Sequence, residues 1–583
     1  MRNSLPSISV LIISTCFVVL TLNTTTFFLT QPIIDSYVNA ITPENSAVVE
    51  DQKNIDNNKD LVKGKVPLLL SCICHLVNNS FDCSPENRCA RNFPIPTSLE
   101  SENIEVDSIE KTSKFQINLP KSVYPTKFDE NKILIKKEVT SVPKDNLYVV
   151  GETSVASNGT HVLYAGNRYS ARSLDNGTSW EFMDPKSTGF KAFCCDQRVI
   201  YDPHFKLFIW ILQEHPIPRD VYRNIDRIAL SKDLTDWAIY DITPRYLNWT
   251  LLGKHAFDFP DLAISENYLY VTNNIENFNT ASHVEKLGSV ILRFSLDNIS
   301  KITSERELSE VRMKQGNPDL FPLINATFYL DKNADTITPV QGSSNQMYFA
   351  THINSTITRI YQWNEDEEYV RVYDKRLPGW NKLSTCENQI ESDPQHQTMW
   401  WCGNVDSRIS AGWLYDDTLG FLWTANRTIL NGKEQSTVPY ISTAIFDTSK
   451  NLSYMGNRPL ANPSYPWLYG SAAINGRGDL GLIAFYGNNK ETSINVAFGV
   501  NTPKLDSDWK MMSLVNSTGK LPVYDPDCVQ RDVVENCKEY KWGDFITIRP
   551  HQGSNKSLWD ISAYVLNGTK STDVIPYYFV ATK

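Results

Sequence analysis

Short stretches of alternating apolar and polar residues recur along the chain from about Lys127 to its end, and tight turns separate them. In one example, Glu152 to Ser157 leads into a turn at Asn158-Gly159, and the chain returns as His161-Val-Leu-Tyr-Ala165. Apolar residues at every second position, bounded by Asn and Gly, are typical of β-strands joined in a hairpin. The pattern therefore predicts antiparallel sheet over this whole region.

A unit of four strands repeats within this region. Each copy comprises a first strand, a short turn, an aromatic-rich second strand, and then a third and a fourth strand. Successive turns lie about 45 to 80 residues apart, and no helical periodicity interrupts the series. Such a repeat predicts an all-β fold, a single β-propeller with seven blades. The count becomes six if the first or fourth unit is misread, and a pair of β-sandwich domains is the structural alternative.

Residues 1–30 have the composition of a targeting segment. Arg2 precedes an apolar run from Ile8 to Leu22, and Phe27-Phe28-Leu29 follows after a polar break. The first run has the length of a signal peptide, whereas the whole stretch could span a bilayer as an uncleaved membrane anchor. A buried core helix is the remaining alternative. We expect a protein that is secreted or anchored on the outer cell surface.

Residues 31–126 are polar and poor in periodicity, which predicts a low-complexity stalk between this segment and the propeller at residues 127–583. Asp51 to Lys65 has the composition of a flexible spacer. The cysteines from Cys72 to Cys89 predict a small disulfide-stapled knot within the stalk.

Cysteine usage agrees with export. Eleven cysteines include Cys16 in the apolar run, and the other ten fall into local groups: Cys72, Cys74, Cys83 and Cys89; Cys194 and Cys195; Cys386 and Cys402; Cys528 and Cys537. Local pairing in an exported protein predicts disulfide bonds. A zinc site in the first group is the alternative, although its spacing is irregular for one.

Cys194 and Cys195 are adjacent, and we expect them to form a vicinal disulfide, a rigid plate at the start of a first strand. Two separate long-range disulfides and a pair of buried thiols are the other possibilities.

Charge and composition limit which kinds of partner and which reactions the chain is expected to have. The formal net charge is −10, so the chain has no basic footprint for nucleic acid. Sequons such as those at Asn158 and Asn176 predict a glycoprotein. No H-E-x-x-H or G-x-S-x-G motif is present, which removes the usual metalloprotease and serine-hydrolase signatures.

Ser173 to Trp180 reads S-x-D-x-G-x-x-W, the pattern called an Asp-box. Asp, Asn and Gly favour a tight turn here. Together with Lys541-Trp-Gly-Asp-Phe545 and Arg477-Gly-Asp-Leu-Gly481, it resembles the blades of BNR-repeat, sialidase-like β-propellers. The resemblance covers the chain from about Lys127 onward and concerns its blades, without a catalytic signature.

Propellers usually bind ligands at one mouth of the central channel, where the first strands begin. The residues at those starts are our ligand-binding candidates: Cys194, Cys195, Asp196, Gln197, Asp258, Asp261, Asp406, Arg408, Tyr469, Trp542 and Asp544. A mouth lined by carboxylates with a few arginines suits a hydroxyl-rich ligand or a cation, and Ca²⁺ is compatible with it. For each acid alone, hydrogen bonding to backbone amides at a strand start is the structural alternative.

The resemblance implies a second function, that of a sialidase-like glycoside hydrolase acting on extracellular glycans. Sialidases bind the substrate carboxylate with three arginines. In this chain the candidates for that role are Arg198, Arg408 and Arg549. The family's R-I-P signature is absent from the start of the repeats, and strand alternation could point Arg198 and Arg549 away from the channel. We therefore expect a non-catalytic module that binds an extracellular glycan or protein, with the hydrolase as the alternative.

The vicinal bond makes a direct prediction. Mass mapping of the unreduced protein is expected to recover Cys194 and Cys195 in one short peptide, lighter by two hydrogens than its reduced form. Linkage of either cysteine to a distant peptide would contradict the prediction.

Overall fold

The fold was traced in a computed structural model of the chain. It describes residues 9–13, 17–22, 25–29, 61–83, 106–107, 122–188, 193–214, 225–243, 255–280, 283–316, 323–382, 405–426, 428–430, 433–436, 438–487, 494–519 and 542–583.

Residues 1–59 form a compact unit separate from the rest of the chain. Its described part is an antiparallel sheet of three strands, β1 (Ser9–Ile13), β2 (Phe17–Leu22) and β3 (Thr25–Leu29). Among the described residues, no helix is both long and apolar enough to cross a membrane. The signal peptide or anchor stays a prediction.

Residues 60–583 form the second unit. Four strands precede its repeats: β4 (Leu61–Val77), β5 (Ser80–Cys83), β6 (Val106–Asp107) and β7 (Ile133–Glu138).

Seven blades follow, each an antiparallel sheet whose strands succeed one another from first to last. Blade 1 has β8 (Ser154–Ser157), β9 (Val162–Gly166), β10 (Tyr169–Ser173) and β11 (Glu181–Met183). Blade 2 has β12 (Phe193–Asp202), β13 (Leu207–Glu214), β14 (Asp226–Ser231) and β15 (Asp236–Ile242). Blade 3 has β16 (His255–Ile264), β17 (Tyr268–Thr280), β18 (His283–Ser295) and β19 (Leu323–Asp331). Blade 4 has β20 (Thr338–Gln341), β21 (Gln346–Asn354), β22 (Ile357–Asn364) and β23 (Arg371–Arg376).

The last three blades continue the series. Blade 5 has β24 (Ile409–Tyr415), β25 (Thr418–Ala425), β28 (Tyr440–Asp447) and β29 (Ser453–Gly456), with a separate hairpin of β26 (Thr428–Leu430) and β27 (Lys433–Ser436). Blade 6 has β30 (Trp467–Ile474), β31 (Leu480–Gly487), β32 (Ile494–Asn501) and β33 (Lys510–Asn516). Blade 7 has β34 (Thr547–Pro550), β35 (Trp559–Leu566) and β36 (Val574–Ala581), and its outermost strand is β7.

The first strands of successive blades contact one another in order, and β34 of the last blade contacts β8 of the first, so the ring is closed. The seam lies in blade 7, where β7 from the N-terminal side pairs antiparallel with β36. Within it, the Tyr577 hydroxyl lies 2.9 Å from a Glu138 carboxylate oxygen. The predicted all-β propeller is confirmed, and β7 supplies the fourth strand that blade 7 would otherwise lack.

The predicted stalk boundary at residue 126 is wrong for two segments. Strand β4 pairs with β15 of blade 2 on one side and with β19 of blade 3 on the other. Strand β6 pairs in parallel with β23 of blade 4. Outer strands present unpaired N–H and C=O groups, and a strand from upstream in the chain satisfies them. Residues 61–83 and 106–107 therefore belong to the sheets of the propeller unit.

The disulfide prediction holds for one pair. Cys74 and Cys83 face each other between β4 and β5 and form a disulfide of 2.03 Å. Cys72 lies beside them, with its sulfur 3.8 Å from that of Cys74. The sulfurs of Cys72, Cys74 and Cys83 lie close enough together to hold a metal ion. The Cys74–Cys83 disulfide uses two of them, which argues against the zinc alternative. Cys89, Cys386, Cys402, Cys528 and Cys537 lie outside the described residues.

The turn from Ser173 to Trp180 joins β10 to β11 as the pattern predicts. One Asp175 oxygen accepts from the Ser179 N–H at 2.8 Å and from the Ser173 hydroxyl at 2.8 Å. Trp180 packs edge-on against Tyr164 and Tyr578, at 6.0 and 5.8 Å between ring centroids. The turn thus fastens blade 1 to blade 7.

Two α-helices interrupt blade 3, contrary to the expectation that no helix would do so. They are α1 (Leu296–Ile299) and α2 (Glu305–Gln315). A capping box starts α2: the Ser304 side chain accepts from the Glu307 N–H, while Glu307 accepts from the Thr303 N–H at 2.6 Å. Because α2 buries only Leu308, it has almost no apolar stripe to reveal it. The described 3₁₀ turns are Lys144–Asn146, Pro185–Thr188 and Thr448–Lys450.

A buried ion-pair network joins blades 3 and 4. Arg359 donates to both carboxylate oxygens of Asp374, at 2.8 and 2.9 Å, and to Asp331 at 3.0 Å. Asp331 is only 1% exposed and also accepts from the Tyr361 hydroxyl at 2.6 Å. Arg359 thus neutralises two carboxylates from two blades.

Replacement of Arg359 by Met is expected to destabilise the full-length protein by about 3–5 kcal/mol, because Asp331 and Asp374 would remain buried without a cation. The measurement is the free energy of urea unfolding at neutral pH. Arg371→Met is the matched control, since Arg371 pairs with Glu367 at an exposed position and such pairs contribute about 1 kcal/mol or less. Equal losses in both variants would contradict the prediction.

Candidate functional site

The first strands all begin at the same end of the channel, and acidic residues gather there. Asp544 interacts electrostatically with Asp196, Asp406 and Asp258, each from a different blade. The carboxyl groups of these four residues therefore lie near one another. We call the following set the mouth cluster: Glu152, Asp196, Asp258, Glu276, Asp406, Arg408 and Asp544.

Strained backbone shapes this mouth. Cys195, Phe259 and Tyr469 have φ of +104°, +53° and +54°, and each lies inside a register shift of its first strand. Glu152, just before β8, has φ of +44°. Non-glycine residues in this region cost about 1–3 kcal/mol each and concentrate at functional sites. Four such residues at one end of the channel indicate that this backbone conformation has a functional role in addition to packing.

Arg408 is the central cation of the mouth. Its Nε donates to Asp406 at 2.6 Å, and its Nη1 lies 3.8 Å from Asp544. Its guanidinium also stacks on Phe259, 3.9 Å from the ring centroid. Burial alone would lower the pKa of Arg408, but Asp406, Asp544 and Asp258 raise it overall. The group therefore stays charged and is already engaged by protein carboxylates.

The Arg198 side chain lines the cavity at the mouth, although strand alternation could have turned it away. The Arg198 guanidinium stacks 3.3 Å from the Phe545 ring centroid, and its Nε lies 3.7 Å from an Asp261 oxygen. The register shift in β12 explains its direction, because an extra residue there changes the alternation. Burial lowers the pKa of Arg549 to about 10, with Asp261 opposing and Arg198 adding to the shift.

Four carboxyl groups of the cluster have raised pKa values, those of Glu152, Asp196, Glu276 and Asp544. Burial and then the nearby Asp544 raise the pKa of Glu152 to about 7, against hydrogen bonds from Asp196 and Asn167. Burial, then the carboxylates Glu152 and Asp258, raise the pKa of Asp196 well above its usual range. Burial likewise raises the pKa of Asp544 to about 7, against the opposing effect of Arg408. Glu276 also reaches about 7, through burial and the nearby Asp258. The backbone N–H of Asp544 donates to a Glu152 carboxylate oxygen at 3.2 Å, so the two residues are in direct contact.

Not every candidate joins the cluster. Gln197 is buried, donates to the Gly166 carbonyl at 2.5 Å and accepts from the Trp210 indole at 2.8 Å, so it ties blade 1 to blade 2. Trp542 is fully buried and stacks on Tyr564 at 4.7 Å. Neither side chain is brought to the mouth.

The cysteines and two of the acids have mixed outcomes. Cys195 is disulfide-bonded, but the side chain of Cys194 lies outside the described part of the chain, so the vicinal bond stays a prediction. Asp261 accepts from the Leu262 N–H at 2.8 Å and Asp406 from the Arg408 N–H at 2.9 Å. These two carboxylates thus also bond backbone amides at strand starts.

A small cavity lies among these groups. Its volume is about 20 Å³, and its lining includes Arg198, Phe259, Asp406, Arg408, Tyr469 and Asp544. Such a volume holds about one water molecule. A sugar ring would therefore have to displace a side chain to reach the acids.

Sequence reasoning missed several of these residues. Glu152 precedes β8 by two residues, much as Asp544 precedes β34 by three, so an acid just before a first strand was a usable signal. The repeated Asp-Phe pairs at Asp258-Phe259 and Asp544-Phe545 were another. Glu276 lies in β17, the second strand of blade 3, where no sequence rule would have placed it.

No known family model matches the chain, and no curated protein matches it. Solved structures do resemble it. A protein of unknown function from Dyadobacter fermentans is 10% identical, covering 78% of this chain and 99% of its own, with a TM-score of 0.35. An α-L-arabinofuranosidase from Fusarium graminearum is 10% identical, covering 77% and 98%, with a TM-score of 0.36. A Trypanosoma rangeli sialidase is 10% identical, covering 70% and 55%, with a TM-score of 0.32.

The raised pKa values predict a pH dependence of stability. A carboxyl group whose pKa is 4.5 when unfolded and about 7 when folded makes stability fall as pH rises between those values, because only the unfolded state releases the proton. Glu152→Gln is therefore expected to flatten this fall and to be more stable than the wild type at pH 8, on the order of 2 kcal/mol. Unfolding in urea from pH 4.5 to pH 8 measures it.

The exposed Glu130 offers a matched control for that experiment. Glu130→Gln should retain the wild-type slope across the whole range. A Glu152→Gln variant with the same slope as the wild type would contradict the assigned pKa shift.

Proposed function

We propose that the protein is a carbohydrate-active propeller that hydrolyses glycosidic bonds with carboxyl groups of the mouth cluster. The observation that carries the proposal is the neighbouring pair of the buried Glu152 and the partly buried Asp544, in which the Asp544 backbone N–H donates to Glu152 and both carboxyl groups have a pKa near 7. A general acid must be protonated at working pH, and burial beside other carboxylates is how glycosidases achieve this. Shifted, convergent titratable groups are what separates an enzyme from a binding module.

In this proposal Asp544 or Glu152 protonates the leaving-group oxygen, and an ionised carboxylate of the cluster activates water or stabilises the developing positive charge. Asp406 is our choice for the second role, because Arg408 holds it at 2.6 Å. The rings of Phe259 and Phe545, already at the mouth, would pack against the apolar face of a sugar.

A neutral sugar suits this mouth better than sialic acid. The mouth cluster contains six carboxyl groups and one guanidinium. Arg198 is paired with Asp261, and Arg408 with Asp406 and Asp544, so these guanidiniums are not open to a substrate carboxylate. An anionic substrate would meet net repulsion from the remaining acids.

A non-catalytic module that binds an extracellular glycan or protein at the rim is the second candidate. The cavity of about 20 Å³ favours it, because that cavity holds about one water molecule. Both candidates suit an exported protein, an expectation supported by the apolar segment at residues 8–29 and by the Cys74–Cys83 disulfide.

Hydrolysis of a panel of aryl glycosides, with neutral pyranosides and furanosides beside a sialoside, tests the proposal. We expect the full chain to release the aryl group from a neutral glycoside. Asp544→Asn and Glu152→Gln should each lower kcat/KM about 10²–10⁴-fold, because general acid catalysis is lost. The exposed Asp417, in the turn after β24, supplies the control Asp417→Asn, which should retain full activity.

A glycan array run with the same variants separates the two candidates. Glycan binding without hydrolysis by the wild type, unchanged in Asp544→Asn, would support the module and overturn the hydrolase. Hydrolysis of the sialoside in preference to every neutral substrate would contradict the choice of substrate class.

A further inference from the structure

A second cavity lies between blades 3 and 4, at the end of their strands that is opposite to the mouth. Its volume is about 480 Å³, and its lining comes from the turn after β16, the turn after β20 and the turn that joins β22 to β23. Because β16 and β20 begin at the mouth, the turns that follow them lie on the other face of the propeller. Pockets for small ligands have volumes of about 300–1,000 Å³, so this cavity is large enough for one.

Hydrogen bonds between the turns fix the shape of this cavity. One oxygen of the Glu365 carboxylate accepts from the Ser265 hydroxyl and, at 2.9 Å, from the Asn267 N–H. The other oxygen accepts from the Asn267 side-chain amide at 2.6 Å. The Glu266 N–H donates to the Ser344 carbonyl at 2.8 Å, which joins the two blades through the backbone as well. The cavity is therefore preformed, and the Glu365 carboxylate is already engaged by the protein.

The cavity offers hydrogen-bond acceptors that the protein does not use. All the described residues that line it are polar, and none of them carries a positive charge. The carboxylates of Glu266 and Asp366 form no hydrogen bond and no ion pair with another described residue. An ionised carboxylate only accepts hydrogen bonds, so the oxygens of both groups are available to a ligand.

The cavity also offers donors. The amide oxygen of Gln346 accepts from the Gln362 amide at 2.9 Å, whereas the Gln346 NH₂ group has no partner among the described residues. The amide oxygen of Asn345 accepts from a neighbouring hydroxyl at 3.3 Å, and its NH₂ group is likewise not engaged within the described part of the chain. Unused donors and unused acceptors thus line the same preformed space.

We propose that this cavity binds a neutral mono- or disaccharide, at a site separate from the mouth. A sugar hydroxyl donates one hydrogen bond and accepts others, so it can use the carboxylate acceptors and the amide donors together. A metal ion or an ammonium group has no acceptor to offer the amide N–H groups. An anionic ligand would be repelled by Glu266 and Asp366, which no lining cation offsets.

The inference concerns binding alone and does not depend on glycoside hydrolysis at the mouth. Saturation-transfer NMR of the full-length chain with lactose, maltose, cellobiose and xylobiose tests it. We expect at least one of these disaccharides to bind with a Kd of about 10⁻³ M. Spermidine, a polyamine cation, and glucuronic acid, a sugar anion, should not displace it.

Two substitutions in the exposed turns test the location of the site. Asp366→Ala is expected to weaken disaccharide binding about tenfold or more, because it removes a charged acceptor. Asn345→Ala should weaken it severalfold, because a hydrogen bond from a neutral donor contributes less. The matched control is Asp417→Ala, since Asp417 is exposed in the corresponding turn of blade 5 and does not line the cavity. This control should retain the wild-type affinity.

Variants at the mouth separate this inference from the proposed hydrolase. Asp544→Asn should retain the disaccharide affinity while it loses hydrolysis of aryl glycosides, and Asp366→Ala should retain hydrolysis. A chain that binds a disaccharide at this cavity but hydrolyses no glycoside would support the inference and reject the hydrolase alone.

Four outcomes would overturn the inference. They are an absence of binding by all four disaccharides, an affinity that both Asp366→Ala and Asn345→Ala leave unchanged, a loss of disaccharide binding in Asp544→Asn, and displacement of the sugar by spermidine. The third would assign the sugar to the mouth, and the fourth would assign the cavity to a cation.

Discussion

The structure depends on one geometric constraint: seven first strands begin around a single axis. Residues at their starts are far apart in sequence, yet they are forced into one small, largely buried volume. Because several of them are acids, burial and mutual repulsion raise the pKa values of Glu152, Asp544 and Glu276 toward neutrality. Only tight ion pairs such as Arg408 with Asp406 and stacked contacts such as Arg198 on Phe545 make so dense a group tolerable.

The strained backbone at the mouth must be stabilised by contacts elsewhere in the fold. Strained residues, among them Cys195 and Tyr469, are held in place by blades whose sheets are packed on both sides and by the seam of β7 on β36. Networks such as Arg359 with Asp331 and Asp374 lock neighbouring blades together. A rigid ring around a strained, charged centre is the arrangement expected of a preorganised site.

The segment that precedes the repeats has a structural role. Strand β4 completes the outer edges of blades 2 and 3, and the Cys74–Cys83 bond fixes the hairpin it forms with β5. The same pair of blades thus contains an added strand and a disulfide, while β6 adds to blade 4 and β7 completes blade 7.

Local pattern determined much of this protein. Alternation and turn residues predicted the strands, the hairpins such as Ser173 to Trp180, and the propeller itself, because those features depend on neighbours in sequence. Position at a strand start was enough to predict that Asp196, Asp258, Asp406, Arg408 and Asp544 would lie near one another. Tertiary structure alone decided the rest. Strand β4 inserts between distant partners, register shifts turn Arg198 inward, and Gln197 and Trp542 turn away. Glu276 reaches the mouth from a second strand. These outcomes depend on packing between residues remote in sequence, which no local pattern encodes.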